Sequence, residues 1–370
     1  MTYLKTCRGL KLNKPVIIAG WGCNDYELDF YEFIHRARIP VLLTWKSIGL
    51  MGDDHPYYCG RPGAIGQPAA NRILQSCDYL LVLGAKMDHD QTAYQLENIA
   101  PHAEKVVVDC DERELAKFDS SWQTVKEDVG EWLRSSWIEG DFKPWLTACR
   151  VLNQLNPVFH ESYWDERAAN YYCVIDELSR LARNDDVIAP ECSTPAQALF
   201  QMWRVKFGQQ FTYAGALGAM GQGIPGAIGA ALATGKRVLC PVGDGGFMLN
   251  IQELEVVKRL NLPIKFIVTD NGGYGAIMNT QRGYFDGRFV GCNNESGLTL
   301  PDIGKVALAF GLPVWRIYGN NDIKSILSRV MATDRPEVVI VKIPDDFKCA
   351  HRVQARMVDG AVISGDFAEV

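Results

Sequence analysis

An acidic residue and an amide residue, Asp244 and Asn271, lie 27 positions apart in the chain, and each follows a run of apolar residues. The first run covers residues 236–242 and ends at a glycine, and the second covers residues 264–269 and ends at Asp270. Such short apolar runs are typical of buried parallel strands. A carboxylate, an amide oxygen, a backbone carbonyl and diphosphate oxygens together make an oxygen shell that suits Mg²⁺. The two residues are therefore candidates to hold a metal ion and a diphosphate group.

The residues around and between this pair predict how its members meet. Three glycines surround Asp244: Gly243, Gly245 and Gly246. They allow a tight turn and let backbone N–H groups approach phosphate oxygens. Residues 251–260 carry apolar side chains at helical spacing, which predicts a crossover helix. Parallel strands joined by a crossover end at the same sheet edge, where open α/β sheets bind ligands. We therefore expect Asp244 and Asn271 to lie side by side, although either residue alone could be an ordinary turn residue.

A second glycine pattern, at residues 221–226, formally matches the G-x-G-x-x-G motif of dinucleotide-binding folds. Its context does not fit that motif. The preceding segment, residues 209–215, is a poor buried strand, and Pro225 begins a helix in the middle of the supposed motif. A dinucleotide site is therefore disfavoured here.

Residues 16–343 resemble the last two domains of the acetolactate synthase-like family of thiamine diphosphate (ThDP) enzymes. The stretch at residues 215–230 is similar to the family segment that holds the aminopyrimidine and thiazolium rings of the cofactor. The resemblance implies that Met220 lies under the bent cofactor and that the Gly218 carbonyl accepts a hydrogen bond from the pyrimidine amino group. Without the flanking glycines, Met220 would be interpreted as core filler.

The resemblance also implies a metal site. Asp244 and Asn271 would bind Mg²⁺ through their side chains, and Gly273 would bind it through its backbone oxygen. The family usually has two consecutive asparagines at this point, whereas the first of them is Asp270 in this chain. Because the second residue is the usual ligand, we expect metal binding to be retained.

Further contacts to the cofactor are implied on three loops. Ser193 and Thr194 are candidate phosphate donors, although residues of these types before Pro195 are also plain helix caps. The other candidates belong to the metal loop and to the helix start that follows it: Gly243, Gly245, Gly246, Tyr274, Gly275, Ala276 and Ile277.

The first part of the chain contains four more apolar runs, which predict buried strands at residues 16–22, 40–44, 78–84 and 105–109. Helical or loop stretches separate them, so a second doubly wound unit is expected. It resembles the central domain of the family. The predicted fold class is α/β, with two doubly wound parallel-sheet domains. The expected boundaries are a central domain at 1–140, a linker at 141–165, a ThDP diphosphate-binding domain at 166–350 and a C-terminal tail at 351–370.

FAD is the second cofactor to consider, because several relatives bind it in the central domain without using it for redox chemistry. An arginine that such enzymes often carry after the third strand is replaced here by Lys86. This replacement leaves FAD binding open but disfavours it, and a purely structural role of the domain is the default expectation.

The family activates ThDP with a glutamate that lies in an N-terminal pyrimidine-binding domain. No acidic residue of this chain is assigned that role by motif. We expect a separate pyrimidine-binding-domain subunit to supply it, with a truncated protein or a non-catalytic relic as the alternatives. Because the family binds the cofactor between two protomers, we also expect this chain to form a homodimer and the complex to be at least a heterotetramer.

The acceptor pocket is predicted from the helix start after the metal loop. True acetolactate synthases carry a tryptophan near the position of Thr280, so Thr280 implies a wider pocket, in which Asn279 and Gln281 could bind a polar acceptor. The expected activity is that of a carboligase, which decarboxylates a 2-keto acid such as pyruvate and transfers the acyl unit to a carbonyl acceptor, for example a sugar or natural-product intermediate. A simple 2-keto acid decarboxylase and a non-catalytic ThDP-binding or assembly subunit are the alternatives.

Composition agrees with a cytoplasmic enzyme subunit. The chain has 370 residues, 47% of them apolar, which is enough for two domains with full cores. Its net charge of −6 gives no basic patch for nucleic acid or an anionic membrane. Eleven cysteines without C-x-x-C pairs indicate reduced thiols, and the N-terminus lacks the apolar core of a signal peptide. The apolar stretch at 214–234 contains glycines, Gln222 and Pro225, so we expect a buried loop and helix rather than a membrane span.

Overall fold

The computed structural model describes residues 12–358 and 361–367. They form two compact units, one made by residues up to Val158 together with those from His351 onward, and the other by Phe159–Ala350. Both units contain a parallel sheet with helices between its strands. The α/β class with two doubly wound domains, predicted from the sequence, is confirmed.

The first unit has a five-stranded parallel sheet of strand order β2-β1-β3-β4-β5. Alternate residues of each strand face opposite sides: Val16 and Ile18 join one buried cluster, whereas Ile17 and Ala19 join the other. Both faces are thus covered by helices, which explains the continuous apolar runs. The elements are β1 (Pro15–Ala19), α1 (Glu27–Ala37), β2 (Val41–Leu43), α2 (Pro68–Ser76), β3 (Tyr79–Leu83), α3 (His89–Thr92), β4 (Glu104–Asp109), α4 (Glu112–Leu115), β5 (Trp122–Lys126), α5 (Val129–Ser135) and α6 (Lys143–Leu155).

Strand β5 was not predicted from the sequence. It lies at the edge of the sheet and pairs only with β4 among the described strands. Trp122 is buried, but Gln123 and Thr124 are exposed, so the strand lacks the apolar run of a central strand.

The second unit has a six-stranded parallel sheet of order β10-β11-β9-β8-β6-β7. Strands β8 and β9 are neighbours, with Gly243 paired to Thr269, so the two polar residues that follow them leave the sheet at the same edge. The elements are α7 (Tyr171–Leu181), β6 (Val187–Ile188), α8 (Ser193–Met202), β7 (Gln210–Phe211), α9 (Gly223–Thr234), β8 (Val238–Gly243), α10 (Asp244–Leu249), α11 (Leu254–Arg259), β9 (Ile264–Asp270), α12 (Gly275–Tyr284), α13 (Ile303–Ala309), β10 (Val314–Ile317), α14 (Asn320–Met331) and β11 (Glu337–Lys342).

The region between β8 and β9 differs from the sequence-based expectation. Residues 244–249, expected to begin in a glycine turn, form the helix α10, and the predicted crossover helix is a 3-10 turn at Ile251–Glu253 followed by α11. The glycines here serve close packing as well as turning, because a side chain at Gly246 would overlap a neighbouring carboxyl group.

Two segments outside the predicted domains pack into the first unit. Helix α6 lies within the segment 141–165, and it buries Trp145, Leu146 and Cys149 in the core of that unit. Strands β12 (Ala355–Val358) and β13 (Ala361–Ser364) form an antiparallel pair, and Val353 and Phe367, which flank them, join the same core. The buried side chains of these two segments explain why the unit extends into stretches that look like a linker and a tail: Trp145, Leu146, Cys149, Val353 and Phe367.

Helix α9 is apolar on most of its surface, but no helix of the described residues is long and apolar enough to cross a membrane.

The second unit contains a fully buried lysine, Lys265, on β9. Its Nζ donates to Thr333 Oγ1 at 2.8 Å and to the Arg335 carbonyl at 2.7 Å, and it lies 3.9 Å from Glu337 Oε1. Burial is the main cause that lowers the pKa of Lys265 from 10.5 to about 8, and the Glu337 carboxylate opposes it.

This lowered pKa gives a testable dependence of stability on pH. Between pH 8 and 10.5 the unfolded chain binds more protons at this lysine than the folded chain, so the lysine destabilises the fold less as the pH rises. Because of Lys265, we expect the free energy of unfolding to be about 1.5 kcal/mol higher at pH 9.5 than at pH 8. Urea unfolding of the wild type and of Lys265→Met at both pH values measures this difference. Parallel pH dependence of the two proteins would contradict the prediction.

Candidate functional site

Asp244 lies at the start of α10 and is buried. The backbone N–H groups of Gly272 and Gly273 donate to its Oδ2 at 2.8 and 3.1 Å, and that of Asn271 donates at 3.2 Å. Its Oδ1 accepts from the Gly245 N–H at 2.7 Å. Burial raises the pKa of Asp244 to about 6, although these N–H groups oppose the shift. The carboxyl therefore joins the ends of β8 and β9, as the sequence predicts.

The amide of Asn271 completes a cluster of polar atoms with Asp244 and Gly273. One amide atom lies 3.2 Å from Asp244 Oδ2 and 2.8 Å from the Gly273 carbonyl oxygen. If that atom is nitrogen, it donates to both oxygens; if it is oxygen, three oxygens converge at one point. Neighbouring ligand oxygens around an octahedral Mg²⁺ are about 3 Å apart. With the amide nitrogen at this point, the three residues bond to one another without a cation. With the amide oxygen there, they present three oxygens to a cation, and this donor set fits Mg²⁺.

A cavity of about 100 Å³ opens beside these three residues. Three helices begin at its wall, namely α8, α10 and α12, and in none of them does the side chain of the preceding residue cap the first turn. In α10 the Gly245 N–H already donates to Asp244 Oδ1. The positive ends of the helix dipoles favour an anion at such a place. The cavity therefore offers a diphosphate-binding wall next to an oxygen site for a metal.

The structure brings most of the predicted site residues together in this cavity. Those that line it are Ser193, Thr194, Met220, Gly243, Asp244, Gly245, Gly246, Asn271, Gly273, Tyr274, Gly275, Ala276 and Ile277. The remaining residues of the lining were not predicted: Glu191, Cys192, Pro195 and Thr269. Ser193 is the first residue of α8 and adopts a left-handed backbone conformation with φ of 62°.

Met220 faces the cavity from the loop that precedes α9, and it is 39% exposed. A Cβ atom on Gly245 would lie 2.4 Å from the Tyr274 ring and 2.8 Å from Met220 Cε. Glycine at 245 therefore lets both side chains lie against the start of α10. Gly218, the other predicted residue of this loop, adopts a φ of 54° and is not part of the cavity lining.

Glu191 was missed by the sequence-based reasoning. It follows β6 in an extended segment, its N–H donates to the Pro241 carbonyl at 2.9 Å, and its side chain is 2% exposed. Burial raises the pKa of Glu191 to about 7, although backbone N–H groups of Gly221, Gly223 and Gly243 favour the ionised form. Its position after a strand at the ligand-binding edge was the available signal, but the neighbouring Ser193 and Thr194 were preferred as phosphate donors.

The three predicted acceptor residues lie on α12 beyond the cavity lining, which ends at Ile277. Asn279 Nδ2 donates to the Phe347 carbonyl at 2.8 Å, and Gln281 Oε1 accepts from the Val290 N–H at 2.9 Å. Thr280 Oγ1 donates to the Ala276 carbonyl one turn earlier at 3.0 Å. These side chains connect α12 to neighbouring loops or to itself, and their role toward an acceptor stays a prediction.

Comparison with known families agrees with the division into two units. Residues 10–135 match the family described as thiamine pyrophosphate enzyme, central domain. Residues 193–341 match the family described as thiamine pyrophosphate enzyme, C-terminal TPP binding domain. The second match begins at Ser193 and includes every predicted metal ligand and every described wall of the cavity except Glu191 and Cys192.

The individual relatives of this chain include acetolactate synthases. The chain is 30% identical over 346 residues to the acetolactate synthase isozyme 2 large subunit of Escherichia coli, covering 90% of this chain and 61% of that protein. It is 29% identical to the acetolactate synthase large subunit of Cyanidium caldarium, covering 89% of this chain and 57% of the relative. It is 26% identical to the chloroplastic acetolactate synthase 1 of Nicotiana tabacum, covering 90% and 51%. The chain thus spans between half and two thirds of the length of these relatives.

Proposed function

Because the chain belongs to the acetolactate synthase-like family of thiamine diphosphate enzymes, we propose that it is the large subunit of a Mg²⁺-dependent carboligase. The substrate is a 2-keto acid, with pyruvate as the first to test, and the acyl unit passes to a carbonyl acceptor such as a sugar or natural-product intermediate. The observation that carries the proposal is the convergence of Asp244, Asn271 and Gly273 beside a cavity that is lined by the starts of three helices.

The residues divide the binding of the cofactor between them. Asp244, Asn271 and Gly273 would supply oxygens for Mg²⁺, which would neutralise diphosphate charge. Ser193 and Thr194 line the cavity at the start of α8, and their hydroxyls and the first-turn N–H groups of that helix would be the phosphate donors. Met220 and Tyr274, which both contact the start of α10, form the apolar side of the cavity. When bound, ThDP supplies a nucleophilic thiazolium carbon for decarboxylation and acyl transfer.

We also propose that a separate subunit completes the site with a pyrimidine-binding domain and its glutamate. Both acidic side chains of the cavity, Glu191 and Asp244, already accept backbone N–H groups of this chain. The complex is then a heteromer that contains a homodimer of this chain, at least a heterotetramer. Sedimentation of the chain with and without its partner tests this, and tight ThDP binding by a lone monomer would contradict it. The proposed location of the complex is the cytoplasm, as the cysteine content predicts; none of the ten described cysteines forms a disulfide.

The reaction is tested by mixing the chain and its partner with ThDP, Mg²⁺ and pyruvate, and measuring CO₂ and product with and without an aldehyde acceptor. We expect CO₂ release that needs both proteins and a new carbon–carbon bond when the acceptor is present. Unchanged products with the acceptor would indicate a simple decarboxylase, and no CO₂ with any partner would indicate a non-catalytic ThDP-binding subunit.

A further inference from the structure

Gly221, the residue after Met220, is held on both of its backbone polar atoms by side chains. The Gly221 N–H donates to Glu191 Oε1 at 2.6 Å, and the Gly221 carbonyl accepts from Asn250 Nδ2 at 2.7 Å. Gly221 has a φ of 89°, a conformation that side-chain-bearing residues rarely adopt. The backbone of the loop is therefore held in place at Gly221, directly after Met220, in a conformation that requires glycine.

Glu191 contacts two segments of the site at once. Besides the Gly221 N–H, its own carbonyl accepts from Gln222 Nε2 at 3.2 Å. On its other side, a Cβ atom on Gly246 would lie 1.7 Å from Glu191 Oε2, so the carboxyl packs directly against the first turn of α10. The side chain has no basic neighbour among the groups that shift its pKa. Its polar contacts are thus almost entirely with backbone, and they join the loop to the helix.

Asn250 supplies the second connection from the opposite end of the same helix. Helix α10 begins with Asp244 and ends at Leu249, and Asn250 is its C-terminal cap. The helix therefore has the predicted metal ligand at its start and the residue that holds Gly221 at its end. A shift of the helix on metal binding would move Asn250 and, through its side chain, the Gly221 carbonyl.

We propose that Glu191 and Asn250 are positioning residues, which fix the backbone beside Met220 before the cofactor arrives. This inference rests on the proposed binding of ThDP and Mg²⁺ to the cavity. Fixing a loop in its bound conformation lowers the entropy cost of binding, so loss of either hydrogen bond lowers the affinity for ThDP. Asn250 lies outside the cavity lining, which separates its effect from direct contact.

The experiment compares Glu191→Ala, Glu191→Gln, Asn250→Ala and the double alanine variant of the full chain, in complex with its partner if the partner is needed for binding. Calorimetry with ThDP and Mg²⁺ gives the affinity, and hydrogen exchange without ligand gives the protection of residues 217–222. We expect each alanine variant to lose about tenfold in affinity and about tenfold in protection of the Gly221 amide. Glu191→Gln keeps an acceptor for this N–H and should stay within about threefold of the wild type.

A matched control is Glu177→Gln. Glu177 is buried to the same degree in the same unit but pairs with Arg180, away from the cavity lining. It should lower thermal stability and leave affinity unchanged. Equal affinity loss in Glu177→Gln and Glu191→Ala, or unchanged protection at Gly221 in the alanine variants, would overturn the inference. Failure of the wild type to bind ThDP would instead refute the proposed function, while the exchange measurement would still decide the role of the two residues.

Discussion

Replacing Asp244 by asparagine should lower the affinity for ThDP with Mg²⁺ by at least about 100-fold. The substitution keeps the shape of the side chain but removes the only carboxylate of the three oxygen donors that converge beside the cavity. Leaving a buried charge without its partner costs about 3 kcal/mol or more, which corresponds to a loss of about 150-fold. Calorimetric titration of ThDP at saturating Mg²⁺, repeated with a chelator, measures the effect.

The control for this experiment is Asp270→Asn. Asp270 is the last residue of β9 and precedes Asn271, but its carboxylate accepts from Lys342 at 3.1 Å in a partly exposed ion pair. Such a pair contributes little, so affinity should change by less than about threefold. Circular dichroism of both variants verifies that the fold is kept. If Asp244→Asn bound ThDP as tightly as Asp270→Asn and still responded to the chelator, the metal site would have to lie elsewhere.

Replacing Gly246 by alanine should destabilise the second unit by about 3 kcal/mol and abolish measurable cofactor binding. The new Cβ atom would lie 1.7 Å from Glu191 Oε2 and 2.3 Å from Glu191 Cδ, so either the carboxyl or the start of α10 must move. Overpacking of a buried site usually costs about 1–3 kcal/mol, and here the displaced group also holds the Gly221 N–H. Urea unfolding measures the stability, and calorimetry measures the binding.

Two further variants show whether this overlap is the cause. Gly229 lies within α9, and a Cβ atom there would meet nothing within 4 Å, so Gly229→Ala should stabilise the chain by about 0.5–1 kcal/mol. Adding Glu191→Ala to Gly246→Ala removes the overlap and should restore part of the lost stability. Strictly additive losses in that double variant would mean that the alanine acts through the backbone of α10 rather than through Glu191.

The metal end of the site could be predicted because its signal is local in the sequence. Asp244 and Asn271 each follow a buried strand, and topology alone places the ends of neighbouring parallel strands at one edge. Apolar runs also predicted β1 to β4 of the first sheet and the neighbouring strands β8 and β9 of the second, since strands covered on two faces are uninterrupted apolar runs. Gly243, Gly245 and Gly246 were predicted as site residues because they are glycines beside Asp244. Gly246, however, lies against the Glu191 carboxyl group rather than in a turn.

The rest depends on contacts between residues that are far apart in the chain. Glu191 and Gly246 are 55 positions apart, and no periodicity of either segment shows that they touch. The edge strand β5 has too few apolar residues to be distinguished from a loop. The different roles of residues along α12 also depend on distant contacts. Ile277 lines the cavity, whereas Asn279 donates a hydrogen bond to the Phe347 carbonyl, a contact that only the three-dimensional structure shows.

The return of residues 351–367 to the first unit has a consequence for synthesis of the chain. Val353 and Phe367 belong to a core whose other members come from residues 16–149, and the Val353 N–H donates to the Ala64 carbonyl at 2.8 Å. The second unit is therefore inserted into the first in the order of translation. On the ribosome, the first unit must wait with part of its apolar core uncovered until nearly 200 further residues have been made. A chain that stops after the last strand of the second sheet would leave that surface open permanently and would be prone to aggregate.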